Sequence, residues 1–496
     1  RGDCMYVGSQ VLMKNYDQYL LNLGYSIEEL VDKASDCLLK HIEHYQNICL
    51  FCGSGNNGAD GLSLAIKLFH QQKDVFVYIF QDEHLSSANY AYLQQCYQET
   101  INVILLDETA LDDMRKQIKV ADVIIDAMFG FGLNSSPRGL YQAVIEEINC
   151  LYDKEVIAID IPTGLNCNTG KPYQSVICAT QTITLSALKD GFLNPESQSF
   201  TGKVHLEKLD VSDVSYAVGL FELIDFKYAS HLIKERLFDG YKGLYGHIGM
   251  ITGCQNYKGA SLLSTKAAVY SGSGIVTVLT CQEIIDSLTV YCPEATTVLR
   301  PPILRKEDIE KYNALLIGSG LGLDLDAYRY VIDVFSLSHQ PLVIDGDALT
   351  ILSSNLNLLK KTKRTIILTP HMGEFKRLCD FHNNDDILSV TRDFAKEWGI
   401  ILVLKGPYTI VTDGENSYRV MAGNKAMSSG GMGDVLAGII TSLLGQNYTA
   451  LNAALLAVYI HGYAGDELAK NAYTVLPSQL IKKIPEVMFK LKSNQK

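Results

Sequence analysis

Asp126 and Asp160 each stand immediately after a short apolar run, Val123–Ile125 and Val156–Ile159. A carboxylate just past a buried strand points into the crevice above a sheet, where it can move a proton or hold a cation. The competing use of such an aspartate is to cap a helix. Asp160 precedes Ile161-Pro162, a poor capping context, so a site role is the better reading there. Upstream, "GSGNNGADG" (53–61) follows the run Ile48–Phe51. Its glycines can take positive φ and let a ligand approach the backbone. A helix starting near Asp60 would aim its free N–H groups at the motif, which suits a phosphate or pyrophosphate. A bare G-x-G reads as a tight turn, but Asn56, Asn57 and Asp60 add polar groups that a turn does not need. Asn57, Asp126 and Thr163 offer hard oxygen ligands for an alkali or alkaline-earth cation.

A second constellation lies in the other half. "SSGGMGD" leads from Ser428 into a helix-compatible apolar run, Val435–Leu444. Gly430, Gly431 and Gly433 could present N–H groups to a transferring phosphoryl group at that helix's N-terminus. Asp434 beside them could take a proton from a hydroxyl. Charge stabilisation and an oriented nucleophile are the two needs of phosphoryl transfer. An aspartate in the first turn is also favoured by the helix dipole alone, but its place after three glycines favours function. "KGPYT" puts Lys405 at a strand end, suited to nucleotide phosphates. By itself it reads as a β-turn. His371 and Glu374 in "TPHMGE" are equally ambiguous singly.

These motifs need scaffolds, and strand-like runs alternate with helical stretches in both halves. The first half has runs at Ile48–Phe51, Val75–Phe80, Val103–Leu106, Val123–Ile125, Val156–Ile159 and Thr182–Leu185, with a helical pattern at Gly61–Gln71. The second has His247–Ile251, Ile275–Leu279, Ala314–Ile317, Leu342–Ile344, Thr365–Leu368 and Ile401–Leu404. Short apolar strands separated by helices predict mainly parallel, doubly wound α/β sheets. Ligands sit at the carboxyl ends of such strands, where the motifs fall. Val211–Leu237 lacks a strand rhythm and is the expected junction, with domains at 1–215 and 225–496. A chain of 496 residues exceeds what one core usually supports.

Composition narrows the classes. The chain is 47% hydrophobic and 20% charged, with a net charge of −12, so it is expected to be globular and not to bind nucleic acid. No uninterrupted apolar run of ~18 residues predicts a membrane span. Cys49 and Cys52 have C-x-x-C spacing but lie in and at the end of an apolar run, so they read as buried thiols. Reduced thiols and the absence of a basic-then-apolar leader predict a cytoplasmic location.

The ordered set of motifs resembles the bifunctional NAD(P)H-hydrate repair enzymes over nearly the whole length. "GSGNNGADG", "DAMFGFG" (126–132) and "DIPTG" (160–164) resemble the epimerase domain, which is Rossmann-like. "GHIGMITG", "YKGAS", "SGSGIVTV", "IGSGLG", "DGDAL", "TPHMGE", "KGPYT" and "SSGGMGDVLAG" resemble the ADP/ATP-dependent dehydratase domain, which is ribokinase-like. The resemblance implies that Asn56, Asn57, Gly58, Ala59 and Asp60 line the epimerase's hydrate pocket. Gly130, Phe131, Gly132, Leu133, Asn134, Ser135 and Ser136 would join them, with Asp160 as the acid/base group. Asn57, Asp126 and Thr163 would hold potassium. In the second half Ala260, Gly320, His371 and Asp434 would contact the hydrate. Lys405, Gly406, Pro407, Tyr408, Thr409 and Gly433 would contact the nucleotide, with Asp434 catalytic. The chain departs from the family's more usual pattern at Ala59, Met372 and Ser428-Ser429, without loss of an implied acid, base or cation ligand.

The implied activity is repair of hydrated NADH or NADPH. The first domain would interconvert the R and S epimers, and the second would dehydrate the S form using ADP or ATP. Mg²⁺ is expected with the nucleotide, and a homo-oligomer is expected. The alternative is a ribokinase-like kinase of small heterocycles with a non-catalytic N-terminal binding domain.

Overall fold

Aliphatic and β-branched runs in this chain become short strands buried on both faces, and the helices between them supply the cover. The structure, a computed structural model, describes residues 5–80, 85–215, 217–382 and 385–494. The chain divides into two compact units, Arg1–Leu220 and Phe221–Lys496.

The first unit contains β1 (Tyr6–Gly8), β2 (Asn47–Cys52), β3 (Asp74–Phe80), β4 (Asn102–Leu106), β5 (Val123–Ala127), β6 (Glu155–Ile159), β7 (Gln181–Leu185), β8 (Leu188–Lys189) and β9 (Lys203–Glu207). Seven of them form one sheet in the order β4-β3-β2-β5-β6-β7-β9. Every neighbouring pair in it is parallel. β1 pairs in parallel with β8 through Val7↔Leu188 and Gly8↔Lys189. Side chains alternate across the sheet with period two. Leu50, Val77, Ile125 and Ile157 meet the helices Ile27–Ile42 and Asn56–His70 on one face. Cys49, Phe51, Tyr78 and Ile124 meet Leu111–Val120 and Leu140–Asn149 on the other. Each fully buried Leu, Ile or Phe contributes about 1.5–3 kcal/mol.

The second unit contains β10 (Phe221–Ile224), β11 (His247–Ile251), β12 (Ile275–Thr280), β13 (Thr296–Leu299), β14 (Ala314–Ile317), β15 (Leu342–Ile344), β16 (Ile366–Leu368), β17 (Ile401–Leu404), β18 (Ile410–Thr412) and β19 (Ser417–Val420). They run β13-β12-β11-β14-β15-β16-β17-β18-β19-β10. The pairs up to β17 are parallel, and β17-β18 and β18-β19 are antiparallel.

Two expectations need correction. The stretch Val211–Leu237 holds β10, paired with β19, and the helix Phe226–Leu232. Four residues are too few for period-two alternation to stand out, so burial of Phe221, Leu223 and Ile224 reveals the strand only in the fold. The helix after β2 starts at Asn56, not near Asp60. Cys49 and Cys52 are fully buried in β2, and burial pushes the Cys49 thiol up to about 12.

Candidate functional site

In each sheet the strand order reverses once among the parallel strands, between β2 and β5 in the first unit and between β11 and β14 in the second. Connections leave in opposite directions at such a point and open a crevice at the carboxyl ends. The polar motifs collect at both.

In the first crevice the glycines of 53–61 act through closeness, not through positive φ. A Cβ on Gly53 would lie 1.9 Å from the Met128 carbonyl oxygen, and one on Gly58 1.9 Å from that of Gly53. One on Gly61 would meet Ala127 Cβ at 2.7 Å and Cys52 Sγ at 2.8 Å. The first turns of the helix therefore press against the strand ends. Gly55, at the N-cap with no side-chain cap, faces open space. The helix's first N–H groups are free for an anion there.

A cavity of about 540 Å³ opens at this point. Ser54, Gly55, Asn56, Asn57, Asp60, Asp160 and the loop Gly130–Asn134 line it. Gly58, Ala59, Ser135 and Ser136 do not. Ala59 packs with Val31 and Ala88. Ser136 accepts from Ser175 N at 3.1 Å and so ties its loop down. Apolar residues of the two N-terminal helices, among them Met13, Ile27 and Leu30, form the opposite lining.

Asp160 is buried at the end of β6 with φ +66, a left-handed conformation that few residues other than glycine adopt. Such strain persists only where the surroundings enforce it. Here Asp160 Oδ1 accepts from Leu185 N at 3.1 Å, Thr184 Oγ1 at 3.3 Å and the Lys189 ammonium. Lys189 is wholly buried and also donates to Thr184 Oγ1 (2.9 Å) and to the Leu185 and Ala187 carbonyls (both 3.2 Å). Among the described residues the hydrogen bonds to the Asp160 side chain converge on Oδ1, which leaves Oδ2 for the cavity. Burial, with the charges of Asp160 and Asp17 behind it, holds the Asp60 carboxyl well above its usual range. A carboxyl so raised can carry a proton for acid/base work.

Asp126 is completely buried below this floor. Its Oδ2 accepts from Thr163 N at 2.8 Å, and its Oδ1 from Thr163 Oγ1 at 2.7 Å and Met128 N at 3.2 Å. Burial raises it to about 6, against the pull of those hydrogen bonds. The Asn57 amide nitrogen is buried without a hydrogen-bond partner and lies beside Gly130, whose Cβ would be 3.4 Å from Asn57 Cβ. The orphaned Asn57 amide and, separately, the Asp126–Thr163 pair beside the Phe129 carbonyl supply oxygen donors of the kind a monovalent cation takes, provided the amide turns its oxygen inward. Among the described residues no three His, Cys, Asp or Glu side chains gather to hold a metal ion.

In the second crevice Asp434 lies in the first turn of the helix Met432–Gly445. That helix is N-capped by Gly431 at φ +95, again without a side-chain cap. Gly433 brings the helix onto Lys405, for its Cβ would sit 3.0 Å from Lys405 Nζ. Gly320, at φ +62, has no room for a side chain, since a Cβ would meet the Tyr257 carbonyl at 2.6 Å and Ala260 Cβ at 2.8 Å. Thus Ala260 and Gly320 are neighbours. His371 caps the helix Met372–Leu378, where its Nδ1 accepts from Gly373 N at 3.0 Å and Glu374 N at 3.2 Å. An accepting Nδ1 places any ring proton of the neutral form on Nε2, and the side chain is 58% exposed.

Lys405, expected to contact the nucleotide, lies beside the helix N-terminus at Gly433 and is engaged by two carboxylates. Its ammonium bonds Asp345 at 2.9 Å and stands 3.8 Å from Glu374. Burial opposes its charge, but Asp345 and Glu374 outweigh that and raise it. Burial likewise pushes Asp345 up, but Lys405, Thr369 and Ser319 more than compensate and hold it below the ordinary range. Asp434 is left with the unfavourable share. Burial and the Asp345 charge push it up to about 7, against Lys405 and a hydrogen bond from Ser319. Gly406 and Pro407 are exposed, and Tyr408 and Thr409 are half-buried, with Tyr408 at φ +55.

Sequence reasoning missed Lys189, Asp17 and Asp345 as site residues and left Glu374 unassigned. Asp345 stands directly after the run Leu342–Ile344, the signal already used for Asp126 and Asp160. Lys189 carried no signal beyond its proximity to a strand.

The comparisons agree with this division. A model of the YjeF-related protein N-terminus matches residues 26–191, and the NAD(P)H-hydrate dehydratase model matches 248–486. A bifunctional NAD(P)H-hydrate repair enzyme of Moorella thermoacetica is 31% identical over 498 residues, covering 94% of this chain and 93% of the relative. An ADP-dependent (S)-NAD(P)H-hydrate dehydratase of Staphylococcus aureus is 37% identical over 53% of this chain and 95% of its own. A solved ribokinase-like superfamily protein of Enterococcus faecalis is 31% identical with a TM-score of 0.50, covering 54% of this chain and 95% of that one. Two units, two polar crevices and similarity along nearly the whole length lead to one conclusion: the chain belongs to the family of bifunctional NAD(P)H-hydrate repair enzymes.

Proposed function

We propose that Phe221–Lys496 dehydrates the S hydrate of NADH or NADPH with ADP or ATP, and that Arg1–Leu220 interconverts the R and S hydrates. Asp434 carries this reading: a carboxyl poised at about 7 beside an uncapped helix N-terminus. A base with an affinity near the working pH is the most effective proton acceptor. Asp434 takes the proton of the ring hydroxyl as that oxygen attacks the nucleotide's terminal phosphorus and the bridging P–O bond breaks, its electrons leaving with ADP (from ATP) or AMP (from ADP). The free N–H groups at Gly433 and its neighbours stabilise the charge on the transferring group. The phosphate ester then departs with its bonding electrons while the ring nitrogen's lone pair forms a C=N bond. Loss of a proton from the adjacent carbon restores the dihydropyridine. Lys405 acts in this reading from beneath, by offsetting Asp345 and Glu374. A Mg²⁺ ion here would be carried mainly on the nucleotide's phosphates.

Incubation of hydrated NADH with ADP or ATP should restore the absorbance of the reduced ring. Accumulation of a stable phosphorylated hydrate instead would support the kinase alternative. The same reading expects a homo-oligomer in the cytoplasm, which sedimentation velocity and cell fractionation test.

In the first unit Asn57, Asp126 and Thr163 would hold potassium, which supplies positive charge near an anionic nucleotide. Asp126→Ala is expected to weaken hydrate binding and remove any potassium dependence. It also strips a partner from the buried Thr163 N–H, a loss of about 1–3 kcal/mol in stability. Crystals soaked in thallium should show anomalous density between Asn57 and Asp126, and blank density there overturns the site.

The two activities should separate on cutting the chain. A fragment ending at Leu220 is expected to epimerise. The dehydratase fragment must begin at or before Phe221, because a start at residue 225 removes β10 from its partner β19. Equal solubility and activity of fragments starting at 221 and 225 would contradict this role for β10.

A further inference from the structure

We propose that Asp17 is a second catalytic carboxyl of the epimerase, handling the proton that Asp160 does not; this rests on the reading of the first-unit cavity as the epimerase site. Met13, Asp17 and Leu21 all line that cavity. They are spaced i, i+4 and i+8 on the helix Gln10–Asn22, and therefore form one stripe. Leu12, Met13, Tyr16 and Leu20 of the same helix are buried, as an amphipathic packing helix requires. A carboxyl in the middle of the cavity-facing stripe contributes nothing to packing. Among the described residues it also has no cation of its own. Lys189 is already engaged by Asp160, Thr184 and the carbonyls of Leu185 and Ala187.

The charged groups facing Asp17 are Asp160 and Lys189 from the strand ends and Asp60 from the helix Asn56–His70. Asp17 is itself exposed to solvent through the open cavity, whose walls crowd around the carboxyl. Burial, then the charge of Asp160, push it up to about 7, with Lys189 pulling the other way. Asp17 is therefore able to donate a proton near neutral pH, while Asp160 is bonded to Lys189 through Oδ1.

Inversion at a carbon bearing both a hydroxyl and the ring nitrogen needs both states. Asp17 gives its proton to the hydroxyl oxygen. The C–O bond breaks, its electrons leave with water, and the nitrogen's lone pair forms C=N. Water then adds to the other face of that carbon, the C=N electrons return to nitrogen, and Asp160 takes the proton released. The reverse epimerisation runs through the same groups with the roles exchanged, and solvent returns the proton from Asp160 to Asp17. No redox partner is involved.

The test is the pH profile of epimerisation in the full chain. In the unmodified protein kcat/KM should fall as pH rises through about 7, because Asp17 must be protonated. Asp17→Asn should lower epimerisation by ~10²–10⁴ and erase that alkaline fall, while dehydration of the S hydrate continues. Asp17→Glu should keep measurable epimerisation with the alkaline fall displaced. Unmodified rates in Asp17→Asn, or an alkaline fall that neither variant moves, overturn the proposal and leave the proton to Asp60. If Asp17→Asn does not fold, the position of the fall in Asp17→Glu decides alone. Asp160→Asn serves as the control: if it epimerises normally, the cavity is not the epimerase site. If it fails and the Asp17 variants behave as unmodified protein, only the role of Asp17 is lost.

Discussion

Asp434→Asn is expected to lower dehydration by ~10²–10⁴, the usual contribution of a general base, and to leave epimerisation intact. The asparagine keeps the shape of the first helical turn, so a loss of rate would report proton transfer and not packing. The unmodified enzyme should show the complementary pH dependence. Only ionised Asp434 can accept the hydroxyl proton, so kcat/KM for dehydration should decline as pH falls through about 7. Asp345 is the largest like charge holding Asp434 up. Asp345→Asn should therefore move the decline to lower pH. It also releases Lys405 from its 2.9 Å partner, which leaves the ammonium freer to favour ionised Asp434 and shifts the decline the same way. A profile that stays in place in Asp345→Asn would detach the titration from Asp434. Near-normal dehydration by Asp434→Asn would end its assignment as the base.

The second large effect is expected at Asp160. Asn is the informative replacement, because it tolerates the left-handed conformation at φ +66 better than most residues. An alanine would add backbone strain to the loss of the carboxylate. Asp160→Asn should reduce epimerisation of the R hydrate by ~10²–10⁴ while dehydration of the S hydrate proceeds. It should also destabilise the first unit. Lys189 is fully buried, and removing its charge partner leaves an uncompensated ammonium, a change of about 3–5 kcal/mol in comparable pairs. The double variant Asp160→Asn/Lys189→Met should recover much of that stability but none of the epimerisation. Separation of the two epimers by chromatography and thermal unfolding of the first unit distinguish these effects. Epimerisation retained in Asp160→Asn, or a double variant no more stable than the single, would contradict the roles given to the pair.

The boundaries of the central strands were legible without coordinates, because a strand buried on both faces must be an unbroken apolar run. His247–Ile251, Ala314–Ile317, Leu342–Ile344 and Ile401–Leu404 have the bounds expected from the sequence. Asp126, Asp160 and Asp434 were visible for the related reason that a carboxylate beside such a run stands out. Short or half-exposed elements were not visible: β10, β13 and the β18-β19 hairpin have too few residues, or too mixed a face, for periodicity to separate them from loop. Nor could spacing tell which glycines face a ligand. Gly53, Gly58 and Gly61 are required by neighbouring backbone and side chains distant in sequence, while Gly55 alone of the four faces open space. The same limit hid the charges that tune the carboxyls. Lys189 reaches Asp160 only because β8 returns beside the end of β6 and β7, and Asp17 enters the cavity only because its helix folds over the sheet's carboxyl edge. Residue types and their order determined which chemistry this chain could carry. Which carboxyl holds a proton was decided by tertiary burial and by partners far along the chain, because proton affinity depends on the surrounding field and solvent and not on the neighbouring letters.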